Sequence, residues 1–128
     1  MEKKIILLAE DEKDISEMYK IAFQQAGFKV VTAFDGEEAI RLGKEYNPDL
    51  ILLDINMPKK DGFGVLRDIS ENRELYEVFK KTPIFILSNY SNQQDIEYCM
   101  NMGAQDYIVK AEWSPSKIVE KVKKYLED

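Results

Sequence analysis

Two hydrophobic periods divide this chain. Ile5–Ala9, Val30–Ala33, Leu50–Leu53, Ile84–Leu87 and Tyr107–Val109 are short apolar runs bounded by polar or turn residues, and their brevity reads as strands rather than helices. Between them the spacing changes to i, i+3, i+4, i+7: Ile15, Met18, Tyr19, Ala22; then Ala39, Leu42, Gly43, Tyr46; then Ile96, Cys99, Met100, Gly103. The tail offers Ile118, Val119, Val122, Tyr125 and Leu126 as a last stripe. Five strand–helix units result. Leu50–Leu53 and Ile84–Leu87 are apolar throughout, as central strands covered on both faces are, whereas Val30–Ala33 follows Lys29 and suits a sheet edge. The fold class is α/β, a doubly wound parallel sheet.

Punctuation agrees with that alternation. Asp14 with Glu17, Asp35 with Glu38, and Ser91 with Gln94 have capping-box spacing, and Ser114-Pro115 puts proline at a first helical position. Gly27 and Gly103 follow the last periodic residues and read as helix stops. From Ser70 to Thr82 charge alternates around Leu75, Tyr76, Val78 and Phe79, which predicts a prolonged third helix followed by loop.

The strand ends carry the chemistry. Glu10 and Asp11 close the first run, Asp54 the third, Ser88 the fourth and Lys110 the fifth. In an open parallel sheet, ligands bind in the crevice outside the carboxyl ends of the strands, so these side chains are predicted to meet. Carboxylates about 4 Å apart repel by about 4 kcal/mol per pair at an effective dielectric near 20, so a cation must compensate. With oxygen donors and no imidazole or thiolate nearby, a hard divalent ion fits, Mg²⁺ first.

Composition narrows the partners. A chain of 128 residues with 45% hydrophobic content fits one core, so residues 1–128 are expected to form a single domain with no output domain. Acids outnumber bases 24 to 18, and the net charge of −6 disfavours direct binding of nucleic acid. Histidine is absent, which removes Ser-His-Asp and Cys-His nucleophiles and any phosphohistidine donor role. Cys99 is the single cysteine and can form no intrachain disulfide, as expected in a reducing cytoplasm. Five apolar residues after Met1–Lys4 are too few for a signal-peptide core or a membrane span.

Together the motifs Leu7–Glu12, Asp54–Pro58, Asp61–Phe63, Leu87-Ser88 and Gly103–Lys110 resemble the receiver domains of two-component response regulators, over nearly the whole chain. The resemblance implies a flavodoxin-like sheet of five strands in the order 2-1-3-4-5. It implies Asp54 as phosphoacceptor and Mg²⁺ held by Asp11, Asp54 and the Asn56 carbonyl, with Glu10 acting directly or through water. Lys110 and Ser88 would contact the phosphoryl group, and Tyr107 would turn inward as a conformational switch. The implied phosphoryl donor is a histidine kinase or phosphotransfer protein, and the output passes to a downstream protein, from a monomer or a phosphorylation-dependent dimer.

Three positions depart from the family pattern. Ala111 follows Lys110 where proline and a cis peptide are usual, which predicts a trans bond with a shifted loop or a strained cis bond. Asn89 replaces a small residue beside Ser88 and would narrow access, and Glu10 replaces aspartate, favouring a water-mediated metal contact. Two further readings compete: a pseudo-receiver acting by binding alone, and a small aspartyl-phosphate phosphatase, which would need a substrate pocket. A flavin carrier is disfavoured because Glu10-Asp11-Glu12 would repel the flavin phosphate.

Overall fold

Five parallel strands, β1 (Ile5–Ala9), β2 (Lys29–Ala33), β3 (Leu50–Leu53), β4 (Ile84–Ser88) and β5 (Asp106–Val109), form one sheet in the order β2-β1-β3-β4-β5. The computed structural model describes residues 2–127. Register aligns the rim: Ala9 pairs with Leu53 and Ala33, Leu53 with Ile86, and Ser88 with Val109. The residues just beyond β1, β3 and β5, together with Ser88 at the end of β4, therefore share one edge. β3 and β4 are wholly buried and β2 is at an edge, as the apolar runs predict.

The helices are α1 (Lys13–Gln25), α2 (Gly36–Tyr46), α3 (Gly62–Glu71), α4 (Arg73–Phe79), α5 (Gln93–Asn101) and α6 (Pro115–Glu127), with a short 3₁₀ turn at Lys110–Glu112. α1 and α6 cover one face through Tyr19, Phe23, Ile118 and Val122, packed on Ile6, Leu8, Leu52 and Phe85. α2, α3, α4 and α5 cover the other through Ala39, Val65, Leu66, Phe79 and Cys99, packed on Leu7, Ile51, Leu53 and Ile86. Period-two alternation in each strand thus feeds two cores. Cys99 has none of its surface exposed, and burial pushes its thiol up to about 11.

Three expectations require correction. The segment from Ser70 to Thr82 is not one prolonged helix. Asn72 leaves helical dihedrals (φ −97°, ψ 118°) and its side chain accepts the Leu75 N–H at 3.0 Å, so α3 ends and α4 begins there. The extra helix inserts Phe79 against Gly43 of α2, where a Cβ would lie 2.5 Å from the ring.

The other corrections concern caps. α1 starts at Lys13 behind Glu12, with no side-chain cap, rather than at Asp14; α5 is capped by Asn92, whose side chain accepts from the Asp95 N–H, rather than by Ser91. At α5 Ser91 and Asn92 both have capping chemistry and Asn92 makes the bond, whereas at α1 no neighbouring side chain does. Asp35 caps α2 as the spacing predicts, accepting from the Glu38 N–H at 2.8 Å, while Glu38 reaches back to Phe34. Gly27 and Gly103 end their helices at φ +98° and +105°.

The helical stripes are right in phase but too wide. Tyr19, Ala39, Gly43, Cys99, Ile118, Val119 and Val122 are buried, whereas Met18, Tyr46, Met100 and Tyr125 at the stripe margins are exposed. Among the described residues, no helix is long and apolar enough to cross a membrane.

Candidate functional site

The rim of the sheet builds a cup from side chains that lie far apart in the chain. Backbone bonds fix its walls: the Glu10 N–H donates to Ala33 O at 3.0 Å, and the Asp54 N–H to Ala9 O at 3.0 Å. These bonds extend the β1–β2 and β1–β3 ladders by one step, so Glu10 and Asp54 keep strand-like positions after their strands end. The loop behind Asp54 is drawn tight by Gly62 N–H to Ile55 O at 2.8 Å. A Cβ on Gly62 would sit 2.5 Å from the Asp54 carbonyl oxygen, so only glycine permits this approach.

Inside the cup, Glu10 is 1% exposed, Asp54 6% and Ser88 1%, while Asp11 is half-buried. Carboxylate oxygens of Glu10, Asp11 and Asp54 all lie within 4.8 Å of one another. The enclosing cavity is about 110 Å³ and is also lined by Glu12, Ile15, Asn56, Asn89, Tyr90 and Lys110. Every predicted site residue except Tyr107 lines it.

Lys110 holds the acids together. Its ammonium donates to Asp54 Oδ2 at 3.2 Å and to Glu10 Oε1, with only 11% of the side chain exposed. Burial pulls the ammonium toward its neutral form, but the Glu10 hydrogen bond and the Asp54 charge outweigh it and hold its pKa above the ordinary lysine value. Among the described residues no peptide bond is cis, so the Lys110–Ala111 bond is trans. A 3₁₀ turn opens at Lys110, and the lysine ammonium still reaches Glu10 and Asp54 in the cup.

Asp54 Oδ1 accepts from the Ile55 N–H at 2.7 Å. Burial pushes the Asp54 carboxyl up to about 6; Lys110 pulls it down and Glu10 pushes it up again. Glu10 has both oxygens engaged, Oε1 by Lys110 and Oε2 by the Glu12 N–H at 3.1 Å. Among the described residues no donor bonds the Asp11 carboxylate, which leaves it the freest of the three to meet an ion. This donor set consists entirely of hard oxygens and fits Mg²⁺.

Ser88 Oγ accepts the Tyr90 N–H at 3.1 Å, and the Tyr107 hydroxyl donates to the Tyr90 carbonyl at 2.6 Å. Tyr107 stands outside the cup, half-buried against the core on the α5 side. Tyr90 is therefore the link between the two polar residues. Sequence reading missed it because its contribution is mainly backbone, and a main-chain N–H or carbonyl leaves no residue-type signal. The Ile55 N–H escaped notice for the same reason.

Comparison with known proteins places this geometry. The family model described as response regulator receiver domain matches residues 6–123. A probable transcriptional regulator, ycf27, of Porphyridium aerugineum is 33% identical over 126 residues, covering 98% of this chain and 49% of that protein. The chain thus spans about half the length of the curated relatives it matches. Among solved structures, the chemotaxis protein CheY4 of Vibrio cholerae superposes with a TM-score of 0.84 at 26% identity, covering 96% of this chain and 98% of that one. The CheY of Borrelia burgdorferi, solved in a complex with CheX, BeF₃ and Mg²⁺, gives 0.82 at 29% identity, covering 96% and 89%.

Proposed function

Because the chain belongs to the response regulator receiver domain family, we propose that it is a cytoplasmic phosphoacceptor in which Asp54 takes a phosphoryl group from a phosphohistidine on a kinase or phosphotransfer protein. The observation that carries this reading is the single buried carboxylate at the end of the central strand β3, facing Glu10, Asp11 and Lys110 across the cup.

Transfer proceeds by attack of an Asp54 oxygen on phosphorus, as the bond from phosphorus to the donor imidazole nitrogen breaks and the imidazole leaves with the electron pair. Of the two oxygens, Oδ1 is fixed by the Ile55 N–H, so Oδ2, now on Lys110, is the attacking atom. Such transfer needs little covalent help from the protein and depends on positioning and charge. Lys110 is already in place to follow the charge from Asp54 to a phosphoryl oxygen, and the Ser88 hydroxyl supplies a donor from the neighbouring strand.

Mg²⁺ would be held by Asp11, Asp54 and the Asn56 carbonyl, with Glu10 acting directly or through water, and would neutralise the charge that gathers on the phosphoryl oxygens. If Ser88 turns its hydroxyl to the phosphoryl group, the bond it accepts from the Tyr90 N–H weakens, and Tyr107 is attached to the other side of the same residue. That chain would pass the event to β5 and α5, where a protein partner reads it. Such a response can shift the equilibrium only as far as the phosphoryl contacts differ between the two arrangements.

Turnover of a separate substrate is disfavoured by size: about 110 Å³ is well below the ~300–1,000 Å³ of ordinary ligand clefts. Incubation with Mg²⁺ and acetyl phosphate, read by intact-protein mass, is expected to add one phosphoryl group to the wild type and none to Asp54→Asn. An unmodified wild type would leave the pseudo-receiver reading in its place.

A further inference from the structure

A second concavity lies away from the acidic cup and shares no residue with it. It is a groove of about 380 Å³ between α3 and α5, lined by Phe63 and Arg67 on one wall and Gln94, Asp95 and Tyr98 on the other. Phe63 and Tyr98 meet edge to face across its floor, with ring centroids 5.3 Å apart and planes at 86°. Tyr98 remains 36% exposed despite that contact.

The charges on the two walls are opposite and uncommitted. Among the described residues, neither Arg67 nor Asp95 joins an ion pair, although six lysines and one other arginine do. The Asp95 carboxylate accepts only the Asn92 side-chain amide, at 2.7 Å.

An arginine on one wall, an aspartate on the other and aromatic rings between them form a self-complementary surface. A two-fold axis through the groove would bring Arg67 of each copy to Asp95 of the other, forming both pairs at once around the exposed Tyr98. Elsewhere the net charge of −6 opposes association of like copies, so the place where opposite charges flank an apolar centre is favoured. We propose that this groove is the contact face of a symmetric dimer of the chain. Aromatic and arginine side chains are the usual anchors of such contacts, and the modest groove makes this a weak, concentration-dependent one.

The inference does not depend on the phosphoacceptor reading, and its test needs no phosphoryl donor. Sedimentation equilibrium at low salt, up to about 1 mM protein, is expected to detect self-association of the wild type. Arg67→Asp places two acids in each contact and Asp95→Arg two cations, so each variant alone should weaken the dimer by about tenfold or more. Mixing the two variants should restore association as a heterodimer, because one copy then presents two acids to the other's two arginines. Circular dichroism verifies that each variant is folded. A wild type that is monomeric throughout, or a dimer indifferent to both substitutions and to their mixing, overturns the proposal.

Discussion

At the scale of single residues, the cup is electrostatically expensive without a divalent ion, and Asp54 bears that cost. Its carboxyl is held at about 6 against an ordinary 3.8, chiefly by burial. The folded chain therefore binds this proton more tightly than the unfolded one, and between about pH 4 and pH 6 the Asp54 contribution lowers stability as pH rises. Above that window the penalty is constant. Asp54→Asn removes it, so in EDTA at pH 7 the variant should be more stable by about 3 kcal/mol, with the gain vanishing near pH 4; urea unfolding at both values checks this. Lys110→Met should act oppositely, losing about 3 kcal/mol in the same assay because Glu10 and Asp54 are left facing each other unpaired. The cup was legible beforehand because each of its acids, its hydroxyl and its lysine closes an apolar run. What escaped is the part made of main-chain atoms around Ile55 and Tyr90, where any side chain would offer the same amide.

Among the elements, strands were easier to read than helix ends. A strand wholly buried on both faces, such as Leu50–Leu53, has a pattern few other structures share, whereas a helix start is contested by every neighbouring residue with a short polar side chain. Asn92 wins that contest over Ser91 at α5, while α1 starts behind Glu12 with no side-chain cap at all. The break at Asn72 was hidden because Glu71, Arg73 and Glu74 are ordinary helix formers, and the cap between them looks like one more polar position. Its role can be measured: Asn72→Ala should cost about 1 kcal/mol of stability in urea unfolding and raise amide exchange first along α4. The loss is expected to stay local, since Phe79 still anchors the far end of α4 against Gly43.

For the whole molecule, the sheet places two cores back to back and leaves the acidic cup on one rim, so an ion bound there would be coupled to folding. Mg²⁺ at about 100 times its Kd should raise unfolding free energy by ~2.7 kcal/mol in the wild type. Asp11→Asn, which keeps the Lys110 contacts intact, should lose most of that increment, as thermal melts with and without the ion will report. Net charge and composition limited the partners but could not locate the groove between α3 and α5, because it depends on how far apart two helices settle. Cys99, sealed beneath α5, gives the chain a built-in clock. A thiol with no surface and a pKa near 11 is invisible to alkylating reagents until its helix lifts, so the rate of labelling at this one sulfur counts the openings of the element nearest the proposed switch.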